Sequence, residues 1–208
     1  MARPSAVYVE APAKINLYLG VGPLRDDGYH ELATVFQAIS LLDQLTALPE
    51  DSGVVLEMDE DGEKVPGRAA DNLAVKAARA VRRRSKLTSG VRLVLSKSIP
   101  VAGGMAGGSA DAAAALVACN ALWGAGLPSS ELAELAADLG SDVPFSLHGG
   151  TALGASRGEV LTPVLTTGEF TWVVAASFTT LSTPEVYATY DRLNADRELP
   201  APAVPKAL

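Results

Sequence analysis

The stretch PVAGGMAGGSADAAAALVACNALW, residues 100–123, decides how the rest of the chain is read. Its first half carries Gly103, Gly104, Gly107 and Gly108, and its second half is an alanine-rich run that ends near Trp123. Alanine is the strongest helix former and the glycines stop at Ser109, so a helix is predicted from about Ser109 to Trp123. Just upstream, VRLVLS (91–96) puts Val91, Leu93 and Leu95 in one phase, the period of a strand. A strand, a glycine loop and a helix follow one another. In that order, backbone amides without side chains converge at a helix N-terminus, where the dipole adds positive potential. Such a cradle suits a phosphate. The Gly-Lys-Ser/Thr of a P-loop is absent, as is the spacing of a dinucleotide fingerprint. A single tight turn needing positive φ accounts for one glycine pair but not for two.

Moving toward the N-terminus, PAKINLYLGV (12–21) alternates, with Ile15, Leu17, Leu19 and Val21 on an expected core face and Lys14, Asn16 and Tyr18 on the other. The loop GPLRDDGYH (22–30) follows, with Asp27-Gly28 as its turn signal. Strands are expected over 32–40, 43–48 and 53–58, the last two joined by a turn at 49–53. The polar stretch 59–70 leads to a helix over 71–85, with Asp71 as N-cap and Leu73, Ala77, Ala80 and Val81 as its apolar stripe. Arg82, Arg83 and Arg84 read as a solvated end that complements the helix dipole. Toward the C-terminus, ELAELAADL (131–139) is a second helix, begun by Pro128 and Ser129 and stopped by Gly140. FSLHGGTALGAS (145–156) reads as strand and turn, FTWVVAA (170–176) as a buried strand, and STPEVYATYDRLN (182–194) as a helix opened by Pro184.

Of the 208 residues, 48% are hydrophobic and 20% charged, which excludes a disordered or fibrous chain. Acids outnumber bases 24 to 17, a net charge of −7 that disfavours nucleic acid and anionic membranes as partners. The single cysteine, Cys119, rules out an intrachain disulfide and a cysteine-rich zinc site, and a cytoplasmic location is expected. No run approaches the ~18 apolar residues of a membrane span.

Asp142 lies between the Gly140 helix stop and Pro144. A carboxylate there can take a proton from an attacking hydroxyl, although turn and capping aspartates are also common at such places. Lys14 sits within a strand, away from the apolar positions, where a snorkelling lysine is the ordinary reading. Beside Asp142 it would hold the carboxylate ionised and offset charge on a phosphoryl group in transfer. Tyr29 and His30 adjoin in the DDGYH loop, where a phenol can stack on a planar base and an imidazole can bond its edge. His148 reads as structural. Two histidines far apart, without an H-E-x-x-H spacing, speak against a protein-held transition metal.

In this order PAKINLYL, RDDGYHEL, DNLAVKAA, IPVAGGMAGGSADAAAAL and GSDVPF resemble the motifs of the GHMP kinase superfamily, from about Ala6 to Tyr190. The PAKINL and DGYH pieces resemble the branch that acts on a cytidine-diphosphate-linked methylerythritol in the non-mevalonate isoprenoid precursor pathway. The resemblance implies an ATP-dependent kinase with a small-molecule alcohol acceptor, Asp142 as general base and Lys14 as its electrostatic partner. It implies that Pro100, Val101, Ala102, Gly103, Gly104, Met105, Ala106, Gly107, Gly108, Ser109, Ala110 and Asp111 wrap the ATP phosphates. Lys97 and Asn72 would lie near the nucleoside, and Mg²⁺ would arrive with ATP. Asn16, Tyr29, His30, Thr183 and Tyr187 match the substrate side, with Tyr29 stacking on cytosine and His30 reading its edge.

The implied fold is α+β. A two-layer ATP-binding domain over 1–168, resembling the second domain of ribosomal protein S5, would be followed at 169–208 by the start of an incomplete C-terminal α/β domain. Apolar surface left at FTWVVAA would be exposed, rearranged or covered by another chain, self-association included. Ala102, Ala106 and Ala110 stand where many relatives carry Gly, Gly and Ser, so altered ATP contacts are expected. The alternatives are a nucleotide-binding fragment without turnover, a GHMP kinase for another alcohol such as homoserine or mevalonate, and an S5-like RNA-binding module. The acidic balance counts against the last.

Overall fold

The chain is seen in a computed structural model that describes residues 4–59, 65–175 and 181–205. Strands β1 (Val7–Leu24) and β2 (His30–Glu50) form a long antiparallel hairpin. Its turn closes with the Arg25 amide donating to the Tyr29 carbonyl at 2.7 Å, with Gly28 at φ 82°. The other edge of β2 is shared. Its first half pairs antiparallel with β5 (Thr151–Ser156) and its second half with β4 (Gly90–Ser96). β3 (Val54–Met58) lies parallel to β4, and β6 (Val160–Pro163) pairs antiparallel with β5.

Helices α1 (Leu73–Arg84), α2 (Gly107–Trp123), α3 (Ser129–Leu139) and α4 (Val143–His148) make the second layer, with α2 lying across β1 and β2. Large side chains come from the sheet and small ones from the helices. Leu45, Val91, Leu93 and Leu95 are fully buried against the alanines of α2, and Ala74, Ala77 and Ala78 of α1 join them. The methyl-sized surface of α2 lets it approach the sheet closely. Each buried leucine contributes about 1.5–3 kcal/mol. The fold is therefore the mixed α+β arrangement expected. Among the described residues no helix is long and apolar enough to cross a membrane.

Several local expectations are corrected. Residues 32–40 and 43–48 belong to one strand, β2, and the strand after the turn, β3, pairs with β4. The excursion through α1 carries the chain over, so β3 and β4 run parallel. In β1, register shifts at Pro12/Ala13, Asn16/Tyr18 and Val21/Leu24 break the two-residue period. The core positions are Ala11 and Ala13, while Leu19, expected inside, is 47% exposed. Asn72, not Asp71, caps α1, its side chain accepting from the Ala74 amide at 2.8 Å. Helix α2 starts at Gly107, earlier than Ser109. Residues 143–148 are helical rather than extended, with Pro144 in the first turn and Gly149 after the end.

The segment 170–175 is neither strand nor buried. Phe170, Trp172, Val173 and Val174 are exposed, and the segment pairs with no strand of the sheet among the described residues. Residue 176 of that expected strand lies outside the described residues. Helix α5 (Thr183–Leu193) forms where predicted. Beyond it the tail folds back on β1. A Cβ at Gly22 would come within 2.5 Å of Pro202, so this close approach requires glycine.

Candidate active site

The loop between β4 and α2 is bent by residues in left-handed conformations. Ala102 and Ala106 both have φ 58°, and Gly104 has φ 72°. An alanine there costs roughly 1–2 kcal/mol over the right-handed region, which is why glycine is the easier choice at these positions. Gly107 answers a different need. A Cβ on it would lie 3.0 Å from Lys97 Nζ and 3.1 Å from Ile99 Cγ2. The result is a cleft of about 230 Å³ lined by the loop, Lys97 and Asp111. The Ala110 amide is the first in the helix ladder, donating to the Ala106 carbonyl at 2.9 Å. Those of Gly107, Gly108 and Ser109 precede it and have no intrahelical acceptor. Ala110 itself departs from expectation: its amide is spent and its methyl is fully buried in the core.

The candidate acid–base pair meets beside this loop. Lys14 Nζ lies 4.0 Å from Asp142 Oδ2. Lys14 is buried rather than snorkelling. Its ammonium donates to Asn16 Oδ1 at 2.7 Å and stands 5.6 Å above the Phe36 ring. Asn16 in turn donates to Thr34 Oγ1 at 2.7 Å, and that hydroxyl donates to the Tyr18 carbonyl at 2.6 Å. On the other side, Phe145 of α4 packs on Phe36 with ring centroids 4.8 Å apart. This contact pins α4, so that Asp142, just before its first residue, is held next to the lysine. The lysine strand also touches the loop directly, because the Lys14 amide donates to the Met105 carbonyl at 3.1 Å.

Lys97, expected near the nucleoside, lines the cleft of the glycine loop from a buried position. It is paired with Asp43 and, at 2.9 Å, with Asp111 Oδ2. Asp43 Oδ1 accepts the amides of Ser98 at 2.7 Å and Ile99 at 2.9 Å, fixing the entry to the loop. Burial pushes the Asp111 carboxyl up to about 7; Lys97 opposes the rise and Asp43 adds to it. Asp43 escaped the sequence reading, although an acid inside the apolar run LLDQL (41–45) was a visible signal of a paired, buried charge. Asn72 is engaged in capping α1 and so lends its side-chain oxygen to the backbone.

On the expected substrate side Tyr29 and His30 are separated. They are neighbours at a strand start, so their side chains diverge. Tyr29 is half-exposed, with the Arg157 guanidinium 4.9 Å over its ring. His30 is buried, and because a carbonyl only accepts, its Nδ1 donates to the Gly22 carbonyl at 2.8 Å. Its ring stacks on Tyr187 at 5.1 Å and 16°, meets Tyr190 edge-on, and brings Nε2 to 3.0 Å from Asp191 Oδ1. The Tyr190 hydroxyl donates to the Val21 carbonyl at 3.1 Å. The Tyr187 hydroxyl is raised in pKa, first by burial and then by the Asp142 charge, so α5 reaches the neighbourhood of Asp142. Thr183 is exposed at the start of α5 and, among the described residues, is bonded to none of the other site residues. Arg157, Tyr190 and Asp191 were not foreseen. Among the described residues no group of three or more His, Cys, Asp or Glu side chains could hold a metal ion.

Residues 72–150 match the family described as the GHMP kinases N terminal domain. The chain is similar to the 4-diphosphocytidyl-2-C-methyl-D-erythritol kinase of Salinispora tropica, 57% identical over 190 residues, which make up 91% of this chain and 60% of that protein. It is 54% identical over 205 residues to the protein of the same name from Nocardia farcinica, covering 99% of this chain and 66% of the relative. The chain thus spans about three fifths of the length of the curated relatives it matches. A crystal structure of 4-(cytidine 5'-diphospho)-2C-methyl-D-erythritol kinase superposes with a TM-score of 0.65 at 40% identity, over 76% of this chain and 55% of that one. Homoserine kinase from Cytophaga hutchinsonii shares the fold, with a TM-score of 0.65 at 19% identity over 90% of this chain and 61% of its own. With the motif region, the high identity of these relatives and the common architecture in agreement, the chain belongs to the GHMP kinases.

Proposed function

We propose that the chain is the nucleotide-binding part of a kinase that transfers the γ-phosphoryl of ATP to a hydroxyl of a cytidine-diphosphate-linked methylerythritol. The observation that carries this reading is the 4.0 Å approach of Lys14 to Asp142, on a strand whose own Lys14 amide is bonded to the glycine loop. In this reading the loop and the amides of Gly107, Gly108 and Ser109 receive the triphosphate, which brings Mg²⁺ with it as part of the substrate. Asp142 accepts the proton of the attacking hydroxyl, and Lys14 keeps that carboxylate ionised while offsetting charge in flight. Asn16, Tyr29, His30, Thr183 and Tyr187 form the acceptor side. The cytidylyl acceptor rests on the names of the relatives and on an exposed phenol at Tyr29 suited to stacking. A division at about residue 168 and a cytoplasmic location belong to the same proposal, the latter in keeping with one buried thiol.

Coupled ADP release from the 208-residue chain, supplied with ATP and the cytidylyl acceptor, tests it. Asp142→Asn should lower turnover by about 10²–10⁴-fold and leave ATP affinity within about threefold, as loss of a general base requires. Equal turnover in the mutant would remove Asp142 from the chemistry. A second reading, nucleotide binding without turnover, is favoured by Tyr187 lying on His30, where an acceptor base would be read. ATP binding by calorimetry with no ADP release would select it.

A further inference from the structure

Beneath the glycine loop lies a cluster the proposed chemistry does not use. Asp43 from β2, Lys97 from the segment after β4 and Asp111 from α2 are each at most 2% exposed in their side chains. Asp43 is saturated, since its Oδ1 takes the Ser98 and Ile99 amides and its Oδ2 takes Lys97. Asp111 is not. Its Oδ2 takes Lys97, but its buried Oδ1 has no partner among the described residues. Two acids therefore share one ammonium, and with both ionised the cluster holds a surplus negative charge in the interior. An unpaired buried carboxylate costs several kcal/mol, and such a group neutralises instead. Asp111, with the poorer set of donors, is the one of the two that protonates first as pH falls.

Asp111 and Lys97 also line the cleft bounded by the loop. Helices α1, α3 and α4 and strand β1 pack against α2 as well. Among the described residues, though, the charged groups that act on Asp111 are Lys97 and Asp43. A polyphosphate entering that cleft adds negative charge beside the cluster and opposes an ionised Asp111. We propose that a polyphosphate settling in the glycine loop raises the share of Asp111 Oδ1 that carries a proton drawn from solvent, so that nucleotide binding is coupled to protonation of this buried cluster. The new O–H bond takes its proton from a buffer acid, which is left as its conjugate base, and no other bond changes. Asp43 is the positioning residue, tying the loop entry and Lys97 into one geometry. Burial already pushes the Asp111 carboxyl to about 7, so at neutral pH a modest added charge tips it. The inference rests on the reading of the loop as a phosphate cradle.

Calorimetry of MgATP binding to the 208-residue chain at pH 7.5, in PIPES, HEPES and Tris, gives the protons taken up from the dependence of heat on buffer ionisation. The terminal phosphate itself titrates near 6, so wild type is read against Asp111→Asn, in which that contribution is the same. Wild type should take up about 0.3 of a proton more than the variant, and its affinity should fall about threefold more between pH 6.5 and 8.5. A carboxyl ¹³C titration of wild type, with and without MgATP, is independent of whether the variant folds. The Asp111 midpoint should move up by at least about half a pH unit. Equal proton counts, or a midpoint that MgATP leaves in place, would overturn the coupling while the kinase reading stands. No nucleotide heat in any buffer would overturn the cradle and the coupling together.

Discussion

Replacing Lys14 by methionine keeps the aliphatic stem over Phe36 and deletes the charge that faces Asp142. At the observed 4.0 Å, two unit charges interact by about 4 kcal/mol at an effective dielectric of 20. The Asp142 side chain is 37% exposed, so solvent screening brings the realised effect to roughly half, about 2 kcal/mol. If the pair acts when the hydroxyl proton moves, these bounds correspond to a loss of about 30- to 900-fold in turnover. The substitution also strips Asn16 Oδ1 of its 2.7 Å donor, which costs about 1–3 kcal/mol of stability. The assay is coupled ADP release at saturating ATP, with a circular dichroism melt to show that the variant is folded at the assay temperature. A folded Lys14→Met chain with turnover within threefold of wild type would refute the reasoning, since no such electrostatic partnership would then be needed.

Tyr29→Ala should raise the Michaelis constant for the cytidylyl acceptor by an amount equivalent to about 1–3 kcal/mol if the ring stacks on a base, with that for ATP unchanged; an unmoved acceptor constant contradicts the stacking role. Leu93→Ala removes a fully buried side chain between the sheet and the helices and should lower the unfolding free energy by about 2–5 kcal/mol in urea titrations. Because the Asp111 carboxyl is raised to about 7, the folded chain binds more protons than the unfolded chain between about pH 4 and 7. Its contribution to stability is greatest below that window and is lost as pH rises through it. Asp111→Asn should therefore show a flatter stability profile than wild type between pH 5 and 7.5.

Patterns that repeat within one element were readable from the residues alone. The phase of Val91, Leu93 and Leu95 located β4, the alanine run located α2, and the Pro128 and Gly140 punctuation located α3. Register was not readable. Three irregularities in β1 moved the core from Leu19 to Ala11 and Ala13, and no local signal announces a bulge of that kind. Similarly, α4 is too short for its periodicity to stand apart from a strand, and Asp142 and Pro144 were the cues to a helix start. For the candidate site, Lys14, Asp142 and the glycine loop were picked out by residue type and spacing, while their meeting depends on Phe36 and Phe145, which any core would contain. Asp43 and Asp191 show the remaining limit. Each acquires its partner from a distant segment, Lys97 or His30, and sequence distance hides such pairs.

The hydrogen bond from the Lys14 amide to the Met105 carbonyl ties one peptide group of β1 to the glycine loop. On the proposed reading of that loop as a phosphate cradle, an occupant that steadies it should slow the exchange of this single amide deuteron. Occupancy of the phosphate cradle can then be followed from the neighbouring strand, without a label on the nucleotide and without turnover.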